Sequence, residues 1–134
     1  MANVRQVVAC GGAPEAIGPY SQAVRVGDWW YLSGQIPLDP ATGQLVDGDV
    51  VCQMERVMES VGAILAAAGA EFGDVVKTTL YLVDLNDFAA VNGVYARYFQ
   101  VPFPARATVG VAALPRGARV EMEAVVYRPE SGRS

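Results

Sequence analysis

Histidine is absent from this 134-residue chain. That absence removes Ser-His and Cys-His nucleophilic catalysis, histidine-ligated metals and an imidazole general base. Any catalysis has to draw on arginine, carboxylates, tyrosine, hydroxyls, thiols, water or backbone groups. Lysine is nearly absent too: Lys77 is the single one. It lies in the middle of an ordinary strand pattern, so no Schiff-base role is expected of it. The two cysteines, Cys10 and Cys52, fall in different predicted elements without metal-ligand spacing, and free buried thiols are expected rather than a disulfide framework. Charge is sparse, at 18% of residues against 52% apolar, a balance that calls for a generous core or a subunit interface, and we expect the interface. The net charge of −4 and the scattered arginines set up no attraction for phosphate backbones, so no nucleic-acid partner is expected. No apolar run approaches the roughly 20 residues a membrane span needs, and no basic segment followed by an apolar one opens the sequence. A cytoplasmic protein without membrane contact is the expectation.

The length fits one domain over residues 1–134, with 129–134 as a loose tail. Residues 4–10 read as a first strand, broken by Gly11-Gly12-Ala13-Pro14. Residues 20–26 and 29–36 flank Gly27-Asp28 and predict a β-hairpin; residues 37–48, with Pro37, Pro40, Gly43 and Gly48, predict a loop. Asp49 is a credible N-cap for a long helix, because Val50, Met54, Val57, Met58, Val61, Ile64, Leu65 and Ala68 recur at three- and four-residue spacing, and Gly69 is its natural end. Glu55, Arg56 and Glu59 fall on its wet face, and the methionines read as core filler.

Residues 75–83 predict a strand rich in β-branched side chains. Residues 84–87 turn the chain into a second helix with Phe88, Val91, Tyr95, Tyr98 and Phe99 as its buried stripe. Asn92 and Gly93 interrupt that helix at a propensity cost of about 1 kcal/mol for the glycine, which points to close packing there or to a role for the asparagine, close packing being the expectation. Residues 107–112 and 119–127 predict the last two strands, the latter with Val120, Met122, Ala124 and Val126 on one side and Arg119, Glu121 and Glu123 on the other. The order β-β-β-α-β-α-β-β gives an α+β chain whose sheet has helices on one face. Its other face then needs a second subunit to cover it.

Ahead of the fifth strand, Pro102-Phe103-Pro104 stiffens the approach to Arg106 at its mouth. An arginine so held presents a fork of donors that matches a carboxylate bidentately. Taken alone, it reads first as a strand-edge surface arginine paired with an acid.

The successive stretches Gly18-Pro19-Tyr20-Ser21-Gln22-Ala23, Ser33-Gly34-Gln35-Ile36-Pro37, Val76-Lys77-Thr78-Thr79, Asp84-Leu85-Asn86-Asp87-Phe88, Pro104-Ala105-Arg106 and Val120-Glu121-Met122-Glu123-Ala124 together resemble the Rid family, the reactive-intermediate deaminases once grouped as YjgF or L-PSP proteins. The resemblance spans nearly the whole chain. It implies a chorismate-mutase-like fold with a six-stranded, mostly antiparallel or mixed sheet and two helices on one face. It also implies a homotrimer with a ligand site in each cleft between subunits, and no metal or organic cofactor. The implied activity is hydrolysis of 2-enamino and 2-imino acids, such as 2-aminoacrylate, to 2-keto acids and ammonia. By the resemblance, Arg106 holds the carboxylate and Glu121 orients or activates water. Tyr20, Ser33 and Gly34 line the cleft, Asn92 shapes it less directly, and Ala107 and Thr108 meet the ligand through backbone and hydroxyl.

Each of these has a plainer reading: Glu121 as a solvated strand carboxylate, Tyr20 as a packing tyrosine, Ser33 as a hydroxyl bonded to nearby backbone. Thr108 stands where many members carry a cysteine, so thiol chemistry at that position is absent. Two other functions fit the same residues: a sensor or interaction protein that binds a small anion without turnover, and the single-strand ribonuclease of the family's older name. The acidic charge and the lack of histidine weigh against the ribonuclease.

Overall fold

A computed structural model of the chain describes residues 5–129. The expected strand start at Val4 and the tail beyond Pro129 lie outside these residues. The elements run β1 (Arg5–Val8), β2 (Ala23–Val26), β3 (Trp29–Gln35), α1 (Val50–Ala67), β4 (Val75–Leu82), α2 (Phe88–Ala96), β5 (Ala105–Gly110) and β6 (Val120–Tyr127). The strands form one six-stranded sheet in the order β1-β2-β3-β6-β4-β5, with both helices on one face. This is the α+β, helix-on-sheet architecture expected. All neighbouring pairs are antiparallel except β4 and β5, which run parallel because α2 carries the chain back across the sheet between them.

The core lies between α1, α2 and the inner face of the sheet. The α1 stripe Val50, Met54, Val57, Met58, Val61, Ile64 and Leu65 is buried against Leu80, Leu82, Val120, Met122, Ala124 and Val126. The three described methionines, Met54, Met58 and Met122, are fully buried in it. Asp49 caps α1 by accepting a hydrogen bond from the Cys52 N–H at 3.0 Å. At the other end Ala68 is the cap residue, and Gly69 follows with φ +74°. The N–H of Gly69 donates to the Ala66 carbonyl and that of Ala70 to the Leu65 carbonyl, the paired bonds that close a Schellman motif.

Several expectations are corrected. Cys10 is only half-buried and Cys52 is exposed, so neither thiol belongs to the core. Cys52 sits in the first turn of α1, on the side away from the apolar stripe. Arg56 is largely covered rather than on a wet face: its Nη2 donates to the Gly12 carbonyl at 3.0 Å and to Ser60 Oγ at 3.2 Å. Helix α2 ends at Ala96, so Tyr98 and Phe99 pack from the turn beyond it. Close packing does not explain Gly93, because a Cβ built there meets nothing within 4 Å. Strand β5 starts two residues before the expected point, which puts Arg106 inside the strand opposite Thr78 rather than at its mouth.

The helix-free face carries Glu121, Glu123 and Val125 of β6, Lys77, Thr79 and Tyr81 of β4, and Val109 of β5, as strand alternation and the ladder registers require. Val7, Trp29, Tyr31, Val109 and Tyr127 are exposed on it, Trp29 and Tyr127 with ring centroids 4.8 Å apart. A contiguous aromatic and aliphatic sheet face left open to water is the mark of a surface that associates.

Candidate functional site

Arg106 is the second residue of β5, an edge strand whose outward backbone groups are unpaired within the chain. Its register partner Thr78 is buried on the helix side, so Arg106 also points toward α2. There, three α2 side chains at positions i, i+4 and i+7 share one helix face and receive it. The guanidinium carbon lies 4.8 Å from the Tyr95 ring centroid and 5.2 Å from that of Phe88. Its Nη1 donates to Asn92 Oδ1 at 2.7 Å. Tyr95 is itself fixed by a buried 2.8 Å hydrogen bond between its hydroxyl and Thr78 Oγ1.

Every one of these partners is neutral. Among the described residues no carboxylate pairs with Arg106, whereas Arg56, Arg97 and Arg119 each have one and Arg128 has two. Aromatic faces and an amide orient the guanidinium without cancelling its charge, which leaves its remaining N–H donors for an anion. Asn92, Tyr95, Ala96, Phe103, Pro104 and Arg106 line a pocket of about 370 Å³ at this point. Thr108 follows on the same side opposite Leu80, and Ala107 faces the open side opposite Thr79; both are half-buried.

Glu121 stands on the other face of the sheet, opposite Tyr81 in the β4–β6 ladder. Ser33 and Gly34 form a bulge in β3, where the register with β6 shifts between Leu32 and Gln35. The Glu121 carboxyl lies directly over Gly34: a Cβ there would collide with Oε2, and Cδ would be only 2.9 Å away. The missing side chain of Gly34 is therefore the space the carboxyl occupies. Burial first, and then the charge of Glu123, push the Glu121 carboxyl above its ordinary range.

Ser33 joins this group to the loop before β2. Its hydroxyl donates to the Ser21 carbonyl at 2.5 Å and its N–H to the Gln22 carbonyl at 2.9 Å. Tyr20, one residue before Ser21, is exposed and lines a wider hollow of about 600 Å³ with Cys10, Glu15 and Gln22.

The candidate residues thus fall into two groups. Arg106, Asn92 and Thr108 lie on the helix side at the β5 edge; Glu121, Gly34 and Ser33 gather at the β3 bulge toward the open face, with Tyr20 in the loop that Ser33 ties to them through Ser21. Two strand spacings, roughly 10 Å, and the sheet itself separate Arg106 from Glu121. One chain does not bring them together.

Three contributors escaped the sequence reading. Phe88 and Tyr95 were read only as a buried stripe, and the signal for more was the Asn92 between them at helical spacing. Gln22 is buried and ties down the loop ahead of Tyr20: its Oε1 accepts from the Cys10 N–H at 2.7 Å and its Nε2 donates to the Pro14 carbonyl at 2.7 Å. Its position inside the GPYSQA stretch gave no hint of that clasp. The described residues contain no cluster of three or more Cys, Asp or Glu arranged to hold a metal ion.

Fold and site together define a class: small α+β chains that carry an uncompensated arginine at a sheet edge and a carboxyl on the helix-free face. The chain belongs to the Rid (YjgF/L-PSP) family, whose sequence profile, described as Endoribonuclease L-PSP, matches residues 10–128. It is 59% identical over 123 residues to Protein DfrA of Myxococcus xanthus, covering 90% of this chain and 94% of that one. It is 53% identical over 125 residues to the 2-iminobutanoate/2-iminopropanoate deaminase of Homo sapiens, covering 93% and 91%. Among solved structures, E. coli TdcF with bound serine superposes with a TM-score of 0.87 at 43% identity, over 92% of this chain and 98% of that one.

Proposed function

We propose that the protein hydrolyses 2-imino acids, and the 2-enamino acids that tautomerise to them, to 2-keto acids and ammonia. The observation that carries this is the Arg106 guanidinium, oriented by Phe88, Asn92 and Tyr95 yet left without a carboxylate. Such a group is built to take one from a ligand. Relatives named 2-iminobutanoate/2-iminopropanoate deaminase at 53–56% identity supply the reaction class. The serine held by TdcF is a small molecule with the same carboxylate handle.

An imine carbon is already electrophilic, so the protein has three tasks: hold the carboxylate, position one water and move protons. Water oxygen bonds to C2 as the C=N π pair passes to nitrogen, Glu121 accepting the water's proton and nitrogen taking one up. In the resulting carbinolamine a second protonation of nitrogen makes ammonia the leaving group. The C–N bond then breaks with its electron pair on nitrogen, and the hydroxyl proton departs as C2=O forms. An enamine enters this route once its β-carbon has been protonated. A base whose proton affinity is raised toward neutrality, as burial and Glu123 raise that of Glu121, suits both the first and second proton transfers.

Because Arg106 and Glu121 point to opposite sides of the sheet, the working site takes Arg106 from one subunit and Glu121, with Gly34, Ser33 and Tyr20, from its neighbour in a homotrimer. Ala107 and Thr108, at the β5 edge beside Arg106, offer backbone groups and a hydroxyl to the same ligand. A serine or threonine dehydratase coupled to this protein tests the activity: it should raise the rate of keto-acid release well above that of spontaneous hydrolysis. Ligand binding with an unchanged release rate would leave a small-anion sensor in place of the enzyme.

A further inference from the structure

Glu121 does not stand alone on the helix-free face. Glu123, two residues on along β6, points the same way, and its Oε1 accepts a 3.1 Å hydrogen bond from the Tyr81 hydroxyl. Tyr81 is the residue opposite Glu121 in the ladder, so it bridges the two acids: its backbone is paired with the first and its hydroxyl with the second. On the remaining side the β3 bulge at Ser33 and Gly34 closes over the Glu121 carboxyl.

The titratable and charged groups that face the pair are few. From β6 there is, besides the two acids, only Tyr127 at the far end of the same face; from β4, Tyr81 and, diagonal to Glu123 at roughly 7–8 Å, Lys77; from β3, Tyr31, opposite Val125; and, in the proposed trimer, Arg106 of the partner subunit. Among the described residues no arginine or lysine forms an ion pair with either acid.

We propose that the two β6 acids work as a unit, in which Glu123, anchored by Tyr81, is the positioning residue whose fixed negative charge governs how readily Glu121 takes up and gives back a proton. This rests on the proposed function only in assigning a use to that proton. Without the anchor, the Glu123 side chain turns out into water and its charge is screened. With it, the charge is held beside a partly buried carboxyl, where repulsion favours the protonated form of Glu121. Burial, and then the bond to Glu123, push the Tyr81 phenol above its ordinary range, so at neutral pH it remains a donor to Glu123.

The test is a carboxyl carbon-13 NMR titration of Glu121 in the full chain, run on the wild type, Glu123→Gln and Tyr81→Phe, with pH–rate profiles of the deaminase reaction on the same samples. Glu123→Gln keeps size and polarity but removes the charge; the Glu121 midpoint should move down. Tyr81→Phe should move it the same way by a smaller amount. In both variants the acid limb of kcat/KM should follow. A midpoint unmoved by Glu123→Gln overturns the proposal, and if that variant does not fold, an unmoved midpoint in Tyr81→Phe does so instead. A moved midpoint with an unmoved acid limb upholds the pair and removes Glu121 as the catalytic base, which separates the two claims.

Discussion

At Arg106 the neighbours decide what substitution does. Arg106→Lys keeps the charge but gives up the parallel pair of hydrogen bonds, so kcat/KM should fall by about ten- to a hundredfold. Arg106→Ala should cost more. The side chain is exposed and has no acid to strand, so melting temperature should barely change in either variant; a collapse in stability would make Arg106 a structural group instead. Glu121 gives a pH prediction. Its carboxyl binds its proton more tightly in the folded chain than in the unfolded one. Its contribution to stability is therefore fully present below the ordinary glutamate range and is lost as pH rises through its raised value. Denaturant titrations across mildly acidic pH should show this decline in the wild type and a flatter profile in Glu121→Gln; parallel profiles would contradict the shift. Both residues stood out in the sequence as chemistry-bearing positions. The Tyr95 and Phe88 faces beneath Arg106 did not, because a buried stripe tells which side of a helix is covered and not what lies across it.

At the scale of elements, the β3 bulge is the most exacting feature of the site. In Gly34→Ala the added methyl meets the movable end of the Glu121 side chain and not backbone. Stability should therefore drop by less than about 1 kcal/mol, while activity falls toward that of Glu121→Gln. Activity near wild type would mean that the carboxyl need not sit there. The helix ends were legible: Asp49 and Gly69 act through local side-chain and backbone geometry that the sequence states directly. The bulge and the parallel β4–β5 pairing were not, because register and strand direction depend on partners distant in the chain. The same holds for the start of β5: the prolines ahead of Arg106 suggested a loop, but pairing with Lys77 and Thr78 begins at Ala105. The Asn92-Gly93 step was readable as an anomaly: Asn92 has its role in the 2.7 Å bond from Arg106, while nothing in the structure explains the glycine.

At the scale of the molecule, one face of the sheet is closed by α1 and α2; the other is open and carries exposed aromatic and aliphatic side chains beside Glu121, Glu123 and Lys77. Sedimentation at micromolar concentration should give a trimer; a monomer mass would remove the cover this face requires. The low charge in the composition led to the expectation of such an interface, and strand alternation assigned Glu121 to that face. What the sequence could not state is that Arg106 lies on the opposite face, since that depends on the β4–β5 register. The proposed function depends at this scale on the two half-sites meeting between chains. The most direct measurement mixes the two crippled proteins, Arg106→Ala and Glu121→Gln, unfolds and refolds them together, and assays deamination. Random assembly gives about a quarter of the clefts an intact arginine from one subunit and an intact glutamate from the next, so activity should return to about that fraction of wild type. If the mixture stays as inactive as either parent, the two residues act within one chain or not at all, and the shared site is wrong.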